Sequence, residues 1–218
     1  MTVDGKTIPM FPLGGVLLPG ALMPLQVFEP RYRELTTHCL AHDTEFGVVL
    51  IARGHEVGGG EVRHDVGCLA RIRKAAQTPD GRWGLLCEGT ERIRVADWVA
   101  DDPYPRAIVE PHRVPDHVVT DDLAKRVRGL KTLTRRTLAL GAEAGLQLTP
   151  ATVDLPDDAA AAVWRLGEIA PIGPQDRYDL LCCDHLDERA EMLARFIAGA
   201  REIIEFRLKT DTGGGLGA

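Results

Sequence analysis

The sequence predicts an α+β chain: a β-rich pseudo-barrel with one helix over residues 1–117, an all-helical bundle over 118–210, and a Gly-rich tail over 211–218. Two observations carry this division. Up to about His117, short apolar runs rich in β-branched residues alternate with Gly/Pro turn signals. After Asp116 the apolar residues recur every three to five positions, the spacing of one helix face.

Taken in order, the opening stretch from Pro9 reads as two brief strands separated by a tight turn, because Pro and Gly break its apolar residues at intervals too short for a helix. Glu29-Pro30 opens a new element, a helix over 31–42 with Tyr32, Leu35 and Cys39 on one face. Phe46–Ile51, Val66–Lys74, Trp83–Cys87, Arg92–Trp98 and Arg106–Glu110 read as further strands. Thr78-Pro79-Asp80-Gly81-Arg82 reads as a hairpin turn. In the second half a Thr120-Asp121 cap precedes a stripe of Leu123, Val127, Leu130, Leu133 and Leu138. Shorter helices follow over 157–169 and 175–183. The last helix carries Leu186, Ala190, Leu193, Ile197, Ile204 and Leu208, with Met192, Phe196, Ile203 and Phe206 beside that stripe.

The opening run Pro9-Met10-Phe11-Pro12-Leu13-Gly14-Gly15-Val16-Leu17-Leu18-Pro19-Gly20, followed by Met23-Pro24-Leu25-Gln26-Val27-Phe28-Glu29-Pro30-Arg31-Tyr32, resembles the start of the N-terminal substrate-binding domain of the Lon proteases. That family begins with a Phe-Pro-Leu strand, a Leu-Phe-Pro-Gly turn, a Pro-Leu strand and a Phe-Glu-x-Arg-Tyr helix entry. The similarity continues through Phe46–Ile51, Glu56-Val57-Gly58-Gly59, Asp65–Ile72, Asp80-Gly81-Arg82, Gly89–Val95 and Tyr104-Pro105. It resumes at Leu155-Pro156, Leu180-Leu181 and Glu188-Arg189. Leu18 stands where the family turn carries Phe, and the helical half lacks the family's Lys-Gln pair, with Pro174-Gln175 earlier. The resemblance implies a PUA-like β domain followed by helices. It also implies polypeptide recognition, with unfolded or specific client polypeptides as partners in protein quality control or proteolysis.

The residue inventory limits the chemistry. The 218 residues carry a formal charge of −6 and contain neither serine nor asparagine, so a Ser-Lys dyad or a Ser-His-Asp triad has no nucleophile here. Gly58-Gly59-Gly60 and Gly213-Gly214-Gly215 are not followed by Lys-Ser/Thr, so no phosphate-binding loop is recognisable. The expectation is a non-catalytic protein without cofactor or metal. A cytoplasmic setting is expected because no window approaches the roughly 18 apolar residues of a membrane span and five cysteines lack a disulfide framework.

Other constellations receive structural explanations. His38, Cys39 and His42 lie one helical turn apart but lack a fourth zinc ligand at familiar spacing. His64 and Asp65, near Cys68, are adjacent on a strand and point to opposite faces, which a triad does not allow. Asp121-Asp122 and Asp157-Asp158 sit at helix starts, where the dipole favours negative charge. In the basic run 125–136, Arg128, Lys131 and Arg135 share a face that fits an acidic protein partner. Without interleaved aromatics, nucleic acid is not expected.

The candidate polypeptide-binding residues are Leu17, Leu18, Ala21, Leu22 and Met23, an apolar cluster around a Gly/Pro turn. Glu29, Arg31 and Tyr32 are candidates for a structural corner. The alternative is an enzyme or small-molecule binder using a cleft between the β and helical halves, with His112, His117 or Cys182 in it.

Overall fold

The computed structural model describes residues 5–53, 62–113 and 119–213. The chain divides into two compact units, 1–114 and 115–218, three residues from the boundary read in the sequence. The segment 56–60, His117 and residues 214–218 lie outside the described residues.

The first unit contains β1 (Lys6–Leu13), β2 (Leu22–Val27), α1 (Pro30–His42), β3 (Phe46–Arg53), β4 (Val62–Gln77), β5 (Trp83–Val99) and β6 (Arg106–Pro111). The strands run β2-β5-β4-β3-β1-β6, and a further β5–β6 pairing closes β5, β4, β3, β1 and β6 into a barrel. Closure depends on the 17 residues of β5. Its first half pairs with β2 (Val27 against Trp83), while its second half pairs with β6 (Val95 against Val109). β1 lies parallel to β3 and antiparallel to β6, so the two strands of the opening sequence are not a hairpin but go to separate places in the sheet.

The sequence reading split β5 at Gly89-Thr90-Glu91, and the structure corrects this. Gly89 is not a turn residue. A Cβ there would stand 2.2 Å from the Leu18 carbonyl oxygen, so glycine permits a close backbone approach within a continuous strand. The loop between β1 and β2 is pinned at that point. Gly20 N–H donates to Gly89 O (2.8 Å), Gly89 N–H to Ala21 O (2.9 Å) and Ala21 N–H to Leu18 O (3.0 Å), with Gly20 at φ 77°.

Inside the barrel, Ile8, Met10, Val49, Ile93, Val95, Ala107 and Val109 form one buried cluster. Phe11 stacks on Tyr32 of α1 at 4.0 Å between ring centroids and meets Phe46 at 6.0 Å. α1 begins with Pro30 at its first turn, buries Tyr32, Leu35, Thr36 and Cys39, and stops at Asp43 in the left-handed conformation (φ 50°). The β4–β5 turn closes as its residue types demand. Thr78 N–H donates to Arg82 O (2.9 Å), and Gly81 takes a φ of 82°.

The second unit comprises α2 (Asp121–Glu143), α3 (Ala159–Ile169), α4 (Pro174–Cys182) and α5 (Leu186–Gly213). Thr120 caps α2 by accepting from Leu123 N–H, and Asp158 caps α3 by accepting from Ala161 N–H. Leu123, Val127, Leu130, Leu138, Val163, Leu166, Leu186, Leu193 and Ile197 meet in one core. Arg177 ties the α3–α4 connection by donating to Ile172 O (2.6 Å), Ala170 O (2.9 Å) and Glu168 O (3.3 Å). Buried Arg189 donates to Leu180 O and Cys183 O and stacks 3.9 Å from the Trp164 ring centroid. α5 extends through Gly213, so the helix reaches into the segment read as a tail from 211 onward.

Replacing Gly89 with Ala is expected to destabilise the first unit by about 1–3 kcal/mol, because the methyl group forces the Leu18 carbonyl away and breaks the pinned loop. Chemical denaturation checks this. An unchanged midpoint would mean the loop moves aside at no cost.

Candidate functional site

β2 alternates strictly. Leu25 and Val27 point into the core, while Leu22, Pro24 and Gln26, with Phe28 next to the strand, are exposed. Leu22 is 52% and Phe28 51% exposed. β2 pairs with β5 alone in the strand order, so it is an edge, and Pro24 suits an edge because it has no N–H to offer a ladder. Across from Leu22, Pro24 and Gln26 stand Glu88, Leu86 and Gly84. Directly paired side chains on one sheet face lie about 5 Å apart, so half-buried Leu86 joins Pro24 beside the outward Leu22 and extends the apolar strip onto β5.

This geometry divides the sequence-predicted binding residues. Leu17 and Leu18 are each 1% exposed and Ala21 is buried, which corrects their expected placement on an open patch. The cause is the loop's docking on Gly89, which turns these side chains into the core. Met23 is half-buried, and Leu22 is the one of the five that is exposed. Phe28 and Leu86 were missed. The period-two alternation from Leu22 to Phe28 would have found Phe28, whereas Leu86 needed the β2–β5 register.

Glu29, Arg31 and Tyr32 are brought together at the β2–α1 corner. Arg31 Nε lies 3.2 Å from Glu29 Oε2, and the guanidinium carbon lies 4.5 Å from the Tyr32 ring centroid. The cations of α2 separate. Lys131 Nζ donates to Pro156 O (2.6 Å) and Arg135 to Val153 O (3.2 Å), so both hold the segment before α3 against α2, while Arg128 is exposed. Like Arg128, Arg135 is exposed on α2, and Lys131 is half-buried.

His38, Cys39 and His42 do not converge. The two imidazoles stack at 4.5 Å, and His42 Nδ1 lies 2.9 Å from His38 O, while Cys39 is buried on the other side of α1. His112 lies in the first unit and Cys182 in the second. Beside α1 the first unit has two grooves. One, about 810 Å³, has Ile8, Leu69, Ile93 and Val109 with rim charges of both signs, among them the Arg71–Glu45 pair at 3.0 Å. The other, about 830 Å³, runs past His38, Trp83, Pro103 and Tyr104.

The buried thiols are poor nucleophiles. Burial pushes Cys39 up to about 11 and Cys68 and Cys87 each up to about 12, so all three are protonated near neutral pH. Among the described residues no three His, Cys, Asp or Glu side chains gather in metal-binding geometry, and no helix is long and apolar enough to cross a membrane.

The first unit is a closed barrel with an edge strand, β2, that leaves Leu22 exposed, and the second unit is built of helices. Residues 7–199 match the family model described as the ATP-dependent protease La (LON) substrate-binding domain, and the chain belongs to that family. Among solved structures it is similar to a Lon N-terminal domain protein from Xanthomonas campestris, with a TM-score of 0.66 and 30% identity, covering 88% of this chain and 99% of that one. It shares its fold with the N-terminal domain of Mycobacterium avium complex Lon protease (TM-score 0.64, 18% identity, 88% and 98% covered). Among curated proteins, Lon protease 2 of Herpetosiphon aurantiacus is 24% identical over 201 residues, 91% of this chain but 24% of that protein. The chain thus spans about a quarter of the length of that relative.

The thiols generate a pH prediction. Because the folded state keeps Cys39, Cys68 and Cys87 protonated above the ordinary thiol value of 9.0, the unfolded chain loses these protons first as pH rises. Stability is therefore expected to fall as pH climbs through 9, and alkylation of the three at pH 8 should be slow until denaturant is added. Mass-resolved alkylation checks this, and rapid labelling of Cys68 in the folded protein would contradict it.

Proposed function

We propose that this chain recognises unfolded or partly unfolded polypeptide without itself making or breaking covalent bonds, and that the outer face of β2 is the contact surface. The observation that carries this reading is the pair of half-exposed large apolar side chains, Leu22 and Phe28, at the two ends of one edge strand. An extended client segment can lie along such an edge, and apolar side chains at alternate positions can meet Leu22, Pro24 and Phe28. The small area suits weak binding, in roughly the micromolar range, because the surface must offset the ordering of a flexible client.

Membership of the substrate-binding family and relatives named as Lon proteases support placing this recognition in protein quality control or proteolysis. The raised thiol pKa values and the lack of serine support a non-catalytic role. A setting in the cytoplasm accords with the same features.

Leu22→Asp combined with Phe28→Asp is expected to weaken binding of a labelled unfolded client about tenfold or more, with the melting temperature within a few degrees of wild type. Leu18→Asp is expected to lower the melting temperature strongly, because it places a charge in the core. Fluorescence anisotropy and thermal melting on the same preparations read both. Unchanged affinity in the folded Leu22/Phe28 double variant would remove β2 as the contact.

A further inference from the structure

α5 carries a second apolar seam. Leu186, Ala190, Leu193, Ile197 and Ile204 are buried and form the bundle face. Met192, Phe196, Gly199, Ile203 and Phe206 follow one another at spacings of four, three, four and three, the heptad rhythm of a helix that packs lengthwise on another helix. At about 100° per residue this second line is centred well over 90° around the helix from the first. Met192 and Phe196 are half-buried, but Ile203 is 72% and Phe206 70% exposed, the two largest exposures among the large apolar side chains of the described residues. A groove of about 520 Å³ follows the seam, bounded by Phe196, Gly199, Ile203, Leu146, Pro171 and Ile172. Single exposed apolar residues are ordinary, whereas a continuous line of them beside a groove calls for a cover.

The seam is complementary to itself in one register. In an antiparallel pair related by a two-fold axis at Ile197–Ala198, Phe196 of each helix falls opposite Gly199 of the other, and Ile203 opposite Met192. A two-fold interface makes each such contact twice. Gly199 has open space where a Cβ would stand, so it offers a socket for the ring. The same register sets Glu202 beside Arg195 of the second helix on the solvent side of the seam, again twice. Arg195 is 67% exposed and lies only within 3.9 Å of Glu191 on its own helix, and Glu202 makes no ion pair among the described residues. Size complementarity and charge complementarity thus select one alignment independently. Sliding to the next antiparallel alignment, with Phe196 opposite Phe206, places Glu202 against Glu202 and Arg195 against Lys209.

We infer that the occupant of this groove is a second copy of the chain, and that the protein self-associates through antiparallel α5 helices with Phe196 seated over Gly199 and Glu202 paired with Arg195. The apolar seam drives the association, and the paired charges fix its direction. This surface is distinct from the outer face of β2, so client binding and self-association are separable by mutation.

Sedimentation velocity on the full chain over a concentration series tests the inference. Wild type is expected to shift reversibly from monomer to dimer. Gly199→Leu fills the socket in a place where the folded chain has room and replaces glycine with a better helix former. It should keep or raise the melting temperature and remain monomeric. Arg195→Glu and Glu202→Arg should each weaken association about tenfold, and the double exchange should restore it, since each helix then presents the opposite charge to its partner. A wild type that stays monomeric at every concentration, a dimer indifferent to Gly199→Leu, or a double exchange no tighter than the single variants would each overturn the proposal.

Discussion

The approach of the Leu18 carbonyl to Gly89 is the contact on which the β unit depends. It fixes the loop after β1 against the middle of β5, turns Leu17, Leu18 and Ala21 inward, and delivers β2 to the first half of the same strand. A side chain at Gly89 would disturb all three together, because the obstruction is backbone, which cannot rotate away as the end of a side chain can. With β2 on the first half of β5, the second half is left to β6, and that pairing closes the barrel.

That arrangement also decides which apolar side chains of β2 stay exposed. A small barrel buries one face of every strand, and β2, paired on one side only, is where the other face remains apolar. Several other exposed positions of the sheet carry paired charges, such as Arg94 with Asp65 at 2.9 Å and Arg71 with Glu45 at 3.0 Å. These pairs are exposed and contribute little to stability, but they keep those faces wet. Leu22 and Phe28 are the exposed large apolar side chains at β2, with Leu40 on α1 and Val62 on β4 exposed elsewhere in the first unit. Cys39, Cys68 and Cys87 are held protonated in the core.

The helical unit solves a different problem. Short helices leave carbonyls without intrahelical partners at their C-terminal ends, and here two arginines take them up: Arg177 below α3 and Arg189 below α4. Lys131 and Arg135 do the same for the segment leading to α3. Lys131, Arg135, Arg177 and Arg189 therefore all donate to backbone carbonyls of their own unit. The second seam of α5, by contrast, is covered only in part by the bundle, with Met192 and Phe196 against the core and Ile203 and Phe206 exposed.

Periodicity alone determined the two-part division, the helix faces, the Thr120 cap and the Thr78–Arg82 turn, since these depend on residues within a few positions of one another. The motif-bearing opening run and its later echoes were enough to indicate the family. What lay beyond the sequence was every feature set by contact between distant segments. The burial of Leu17, Leu18 and Ala21 and the continuity of β5 through Gly89 both come from one backbone-to-backbone approach across some seventy positions. The work of Lys131 and Arg135 likewise depends on carbonyls 25 and 18 residues away. A glycine, a leucine and a lysine look the same in a sequence whether they face solvent or another segment, and only the tertiary structure supplies the neighbour that decides between them.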